Sequence, residues 1–330
     1  MVRREGDHDD RQIFFNPRTK CCTFSPTLPN FLAGRILRDG SPEMAEGRAS
    51  VERRLAKMLG VTPLGIGQTA TYALWYNHVA AGFGRSETLL CPHYVGDPGR
   101  CAIWPHRNSV CSTFFCKHDR GAAGFHFWRE ALENLLKSIE WALSRWCVLE
   151  LGVGGTALER LLELGDDCKT IAEGELEGTV KSTTYRALWD RWIGQERQFF
   201  EECAAKVDGL RWTDVAQICG PQVRLLARMT QDVYAKLGHT APEPALRCGS
   251  FKLVSMRSDV VCLSTYCDYD PIEIPARLLG VLQHFGGQPT SEAVAAIAAR
   301  ENVTLDSDLV RKLTDFGLLV PAEKCNDSLT

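Results

Sequence analysis

No apolar run in this chain of 330 residues approaches the roughly 18 to 20 residues of a membrane-spanning helix. The opening stretch MVRREGDHDDRQIFF carries charges of both signs and has no apolar stretch of the secretory kind, so a cytoplasmic chain with no membrane contact is expected. Net charge is nearly absent too. Lys and Arg number 38 and Asp and Glu 41, leaving −3, too weak a field to gather nucleic acid or anionic lipid. The common catalytic signatures are missing: no phosphate-binding GxxxxGK[ST], no HExxH and no GxSxG. LGVGGTAL, Leu151–Leu158, is a Gly-rich turn before a helix and not the dinucleotide fingerprint. Internal repeats and low-complexity tracts are absent as well. With 45% hydrophobic and 24% charged residues, the composition belongs to a folded chain.

Cysteine is what the chain has in excess. Its 14 cysteines are too few for a disulfide scaffold, and in a reducing compartment clustered thiols point to metal or catalysis. Six fall between Cys21 and Cys116, and the last four of these lie within 26 residues. The others, from Cys147 to Cys325, are scattered; Cys147, Cys168, Cys203 and Cys219 read as packed thiols.

Pattern divides the chain into a polar arm (1–20), a Cys-, Pro- and Gly-rich irregular domain (21–125), a helical domain (126–245) and a third unit (251–330), with 240–250 as a linker. The class expected is α+β, mainly helical. Trp128, Leu132, Leu135, Leu136, Ile139, Leu143 and Trp146 recur at helical spacing. Trp189, Trp192, Ile193, Phe199, Phe200 and Cys203 share a face, as do Leu226, Met229, Val233 and Leu237. In the third unit FKLVSM and VVCLSTYC read as strands. Three helices follow: one ended by Gly286 and Gly287, one capped by Thr290 or Ser291, one capped by Asp306 or Ser307. LeuLeuVal before Pro321 closes the unit as a strand. That rhythm suggests a winged helix.

The sharpest chemical signal is LLCPHYVGDPGRCAIWPHRNSVCSTFFC. Gly96-Asp97-Pro98-Gly99 is a turn sequence, and a hairpin there brings Cys91 and Cys101 together. Cys111 and Cys116 follow, and the Cys21-Cys22 pair adds a ligand from upstream, since adjacent cysteines rarely both point inward. Thiolates converging from loops are soft ligands suited to Zn²⁺ or an iron–sulfur cluster. Arg107, Lys117, His118 and Arg120 are placed to offset the negative charge of such a centre. His93 and His106 are alternative ligands beside prolines, and Asn30, His118 and Arg120 fit either loop structure or a supporting role.

CAIWPHRNSVC, with an upstream Cys and a remote Cys-Cys pair, resembles the zinc- or iron-chelating cysteine-cluster family (YkgJ-like) over about residues 20–120. The resemblance implies ligands at Cys22 or Cys21, Cys91, Cys101 and Cys111, with Trp104 and Arg107 as its aromatic and arginine. Asn108 stands where that pattern has proline, no cysteine precedes the pair, and Cys116 is extra.

The segment DYDPIEIPARLLGVLQHFGGQPTSEAVAAIAARENVTLDSDLVRKLTDFGLLV is similar in rhythm to PqqD-like winged-helix domains, which implies protein or peptide binding. Residues 271–330 hold eight acidic and five basic side chains, which disfavours nucleic acid as a partner. The sequence thus points to an intracellular metal-cluster protein binding zinc or iron–sulfur through Cys21, Cys22, Cys91, Cys101, Cys111 and Cys116. Two alternatives stay open: a metal-dependent or redox enzyme acting on a protein or peptide, and a metal- or redox-sensing regulator.

Overall fold

A computed structural model describes residues 14–79, 82–155, 182–238 and 243–322. The fold is α+β and mainly helical, with short antiparallel sheets. Among the described residues no helix is long and apolar enough to cross a membrane. Contacts divide the chain into two compact units. One holds the residues up to Phe114 together with Glu133–Ala227, and the other holds Phe115–Leu132 together with the chain from Arg228.

The first unit opens with β1 (Leu28–Pro29) and α1 (Asn30–Arg38), then α2 (Ala45–Ala56), β2 (Val61–Thr62), β3 (Gly65–Ile66) and α3 (Ala70–His78). Strands β4 (Tyr94–Val95) and β5 (Arg100–Cys101) make a hairpin, and α4 (Ser109–Thr113) follows. The long helix α5 (Glu133–Glu150), α6 (Ser182–Trp189) and α7 (Glu196–Asp208) complete the scaffold. α1 buries Phe31, Leu32, Ala33, Ile36 and Leu37, which is most of its surface, so it must be enclosed from more than one side. The Cys-rich segment and the helical middle therefore share a core. Leu28, Ile36, Val61 and Ile103 belong to the same cluster as Leu143, Trp189, Phe199 and Phe200. The expected division near residue 125 separates no cores, because two-residue strands and short helices cannot enclose α1 unaided.

Residues 14–20, expected as part of a polar arm, are docked. Phe15 is buried against the rings of Phe83 and Phe114, and the Thr19 hydroxyl donates to Gly84 O at 3.0 Å. Residues 1–13 of that arm lie outside the described residues, as do Cys168 and Cys325. The face running from Trp189 to Cys203 is not one helix. A tight turn (Asp190–Trp192) and Gly194, at φ +78°, separate α6 from α7. Both pieces still bury their aromatic rings in the common core, whereas Ile193 is exposed. The face from Trp128 to Trp146 is likewise composite, a π-helical turn (His126–Leu132) preceding α5. Helix α8 (Trp212–Leu237) kinks at Gly220, where Pro221 removes a backbone donor. Its last turns belong to the second unit, and Met229, expected on a buried face, is exposed.

In the second unit β6 (Ala245–Cys248) lies in the expected linker. Two prolines precede it, but pairing on both edges makes it the central strand of a sheet. Next come β7 (Lys252–Met256), β8 (Val260–Ser264) and β9 (Ile272–Pro275), an antiparallel sheet in that order. Then follow α9 (Ala276–Leu282), β10 (Gly286–Pro289), α10 (Thr290–Glu301), α11 (Ser307–Asp315) and β11 (Leu319–Pro321). The Asp306 carboxylate accepts from Leu309 N–H at 2.7 Å, the expected N-cap. Leu246, Leu263, Leu282, Ile297, Leu313 and Leu319 form this unit's core.

Candidate metal centre

The first unit gathers five cysteines from four backbone segments. Cys21 and Cys22 sit in a turn in which Cys22 N–H donates to Thr19 O at 3.0 Å, and Cys91 N–H reaches back to Cys22 O at 2.8 Å. The turn sequence after Tyr94 makes the anticipated hairpin, with Gly99 at φ +76° and Tyr94 paired opposite Cys101. Cys111 lies in the first turn of α4. Its N–H donates to the capping Asn108 side chain at 3.1 Å, and that side chain donates to Thr27 O at 3.1 Å. Asn108 thus supplies an N-cap where the resembled pattern carries proline, and it ties α4 to the chain leading into β1.

The thiols sense one another. A hydrogen bond from Cys22 is the main reason the Cys21 thiol falls to about 7, and the same bond drives Cys22 upward. Burial pushes Cys91 to about 12, with the charge at Cys101 adding to it. Burial also pushes Cys111 to about 12, reinforced by charge at Cys91, Cys101 and Cys21. Cys101 is raised for the same first reason. Four thiolates in such surroundings would repel, and a bound cation is what reverses that balance.

The surroundings suit a negative centre. Arg107 favours the thiolates of Cys21, Cys101 and Cys111, and its guanidinium carbon stands 3.5 Å from the centroid of the exposed Trp104 ring. Its Nε is buried without a hydrogen-bond partner, and so is the hydroxyl of Tyr94, the residue paired with Cys101. Lys20 donates to Gly99 O beside that hydroxyl. Two unsatisfied donors around clustered sulfur fit an acceptor-rich anion such as a thiolate–metal centre. Among the described residues, no group of three or more His, Cys, Asp or Glu side chains is drawn up to the spacing of a metal's ligand shell.

Other candidates fall elsewhere. Cys116 is exposed and belongs to the second unit, not to the segments that carry the five. His106 Nε2 lies 2.8 Å from Asp39 Oδ2, and that bond is the main reason Asp39 drops to about 2. His93 is buried with Nδ1 2.7 Å from Ser50 Oγ; burial lowers it to about 3, so it stays neutral. Asn30 is wholly buried, donating to Pro63 O and Ser144 O at 3.0 and 2.9 Å, a structural clamp between the β2–β3 turn and α5. Cys147 and Cys203 are fully buried in the core, as packed thiols should be.

Glu140 is the supporting residue that sequence reasoning missed. Its two oxygens accept from Ser109 N–H and Oγ–H, both at 2.6 Å, fixing the start of α4 two residues before Cys111. A lone carboxylate between Leu136 and Leu143 on an otherwise apolar stripe was the available signal. Burial lifts Glu140 to about 7, against the opposing pull of the Ser109 hydrogen bonds. The folded chain therefore holds a proton that the unfolded chain has released above its ordinary value, so stability declines as pH rises from about 4.5 to 7. After discounting for solvent screening, the change is on the order of 2 kcal/mol. Glu140→Gln keeps the contact without the charge. Its urea midpoints at pH 5 and pH 8 should differ less than those of the unmodified chain, and an equal difference would show that Glu140 does not carry this dependence.

Comparison with known proteins finds no matching family model, no matching curated protein and no matching solved structure.

Proposed function

We propose that the chain is a metal-cluster protein in which Cys22 or Cys21, with Cys91, Cys101 and Cys111, binds Zn²⁺ or an iron–sulfur cluster. What supports the reading is that thiols from four segments, Cys91 buried and the others half-buried, bear electrostatically on one another. The partnerless donors of Arg107 and Tyr94 support it, because both residues feel the charge of these cysteines and suit an acceptor-rich anion. The metal would be structural in the first instance. It would pin the Cys21–Cys22 turn, the β4–β5 hairpin and α4 together.

Anaerobic purification followed by elemental analysis tests this. Stoichiometric zinc without colour supports a structural thiolate site, and iron with sulfide and visible absorbance supports a cluster. Neither metal at more than about one-tenth of an equivalent would sink the proposal.

A second element of the reading concerns the second unit, taken as a winged-helix-like module for protein or peptide binding. The observation in its favour is that one edge of β9 pairs with no strand among the described residues and borders a groove. Backbone groups on such an edge can pair with an added strand.

A further inference from the structure

Several cations bear on the cysteines of the first unit. Lys20, Arg100 and Arg107 act on Cys21 or Cys101 from exposed or half-buried positions. Arg54 is different. It projects from α2, is only 6% exposed, and acts on Cys91. Two carbonyls fix its fork: Nε donates to Leu59 O at 2.9 Å, and Nη2 donates to Gly67 O. The chain makes room for the guanidinium at Gly60, φ +65°, where a Cβ would fall 2.8 Å from Nη2. One helical turn earlier on α2, Ser50 Oγ stands 2.7 Å from His93 Nδ1. His93 follows Cys91 by two residues, and its backbone N–H bonds the Cys91 sulfur. α2 thus grips the Cys91 segment through Ser50 and brings a fixed positive charge to it through Arg54.

That charge has no carboxylate partner among the described residues. The two carbonyls satisfy hydrogen bonds but leave a full positive charge in the interior, and a guanidinium does not shed its proton to escape. Burial holds Arg54 below the ordinary guanidinium value, and the group whose charge works the other way is Cys91. On Cys91 itself burial dominates, opposed by the His93 N–H and by Arg54. Each group therefore lacks what the other supplies. A buried cation also acts through a medium that screens it weakly, so it counts for more than the cations nearer the surface.

We propose that Arg54 is the buried counter-ion of the metal centre, offsetting the charge of the Cys91 thiolate and so setting how tightly a thiolate-bound divalent cation is held. This rests on the reading of the cysteines as metal ligands and adds a positioning residue outside the ligand set. Four thiolates around a divalent ion leave about two negative charges, and partners beyond the ligands are what make such a site tolerable inside a fold.

Co²⁺ is the probe. The reduced, metal-free full-length chain is titrated anaerobically against a competing chelator, and the thiolate-to-cobalt charge-transfer band reports occupancy. Arg54→Gln and Arg54→Lys both keep a hydrogen-bond donor, but only lysine keeps the charge. Arg54→Gln should hold Co²⁺ roughly 10 to 100 times more weakly than the unmodified chain, and Arg54→Lys should stay close to it. Circular dichroism of each metal-free variant checks folding. Should Arg54→Gln fail to fold, Arg54→Met, which also removes the charge, carries the same expectation. Affinity that follows charge supports the counter-ion. A folded Arg54→Gln that binds as tightly as the unmodified chain, or an Arg54→Lys weakened as far as Arg54→Gln, overturns it and leaves the cysteine site standing. An unmodified chain that shows no charge-transfer band removes the thiolate site, and this role with it.

Discussion

On the proposed metal-cluster reading, serine at Cys101 or at Cys111 should strip the purified protein of metal, while serine at Cys116, Cys219 or Cys248 should leave metal content unchanged. The first two residues stand on separate elements, the β4–β5 hairpin and α4, each anchored by bonds of its own. A hydroxyl is a poor ligand for the soft or borderline metals that thiolates hold, so three sulfurs and an alcohol retain metal weakly. Structural thiolate sites contribute on the order of 10 kcal/mol or more of apparent binding energy, and loss of one ligand forfeits a large part of it. Metal per chain, measured after gel filtration in a competing chelator, reports the result. A full equivalent in both Cys101→Ser and Cys111→Ser would remove these residues from the ligand set. Retention in Cys116→Ser is expected because Cys116 is exposed.

How much of this was legible in the sequence depends on the range over which each signal acts. The β4–β5 hairpin was legible because Gly-Asp-Pro-Gly encodes its own turn chemistry. The Asp306 cap and the strands at 252–256 and 260–264 were legible for the same local reason. What escaped depends on partners distant in sequence. β6 carries prolines just upstream and reads as a linker, yet pairing with β10 and β11 buries Leu246 completely. The shared core escaped because α1 is buried around most of its circumference, leaving only the narrow edge of Arg35 and Arg38, and its pattern does not announce two neighbours rather than one. The candidate centre divides in the same way. Spacing gathered Cys91, Cys101 and Cys111, but nothing local distinguishes them from Cys116, which only the division into units sets apart. The Glu140 clamp, 31 residues from Ser109, needs the packed helix to exist before it can be recognised.

That shared core also makes one small substitution severe. Gly34→Ala should destabilise the protein by about 3–5 kcal/mol, although local propensity predicts the opposite. In an ordinary exposed helix interior, alanine is favoured over glycine by up to about 1 kcal/mol. Here a Cβ on Gly34 would fall 1.8 Å from Phe200 O and 2.9 Å from the Ala204 Cβ, both on α7. The first obstacle is backbone inside a helix, so no rotamer change relieves it. The helices α1 and α7 must separate, opening gaps around Phe199, Phe200, Ile36 and Leu37, which are buried in the cluster between them. Overpacking on that scale outweighs the propensity gain several-fold. Gly40→Ala and Gly154→Ala meet nothing within 4 Å and serve as controls with little expected change. Thermal melts followed by circular dichroism should place Gly34→Ala on the order of 10 °C below both controls. On the proposed metal-cluster reading its metal content should also fall, because the core that α1 shares with Cys101 and Ile103 loosens with it. A melting point within about 2 °C of the controls would mean that α1 and α7 do not meet at Gly34, and with that contact gone the enclosure of α1 from two sides would have no support.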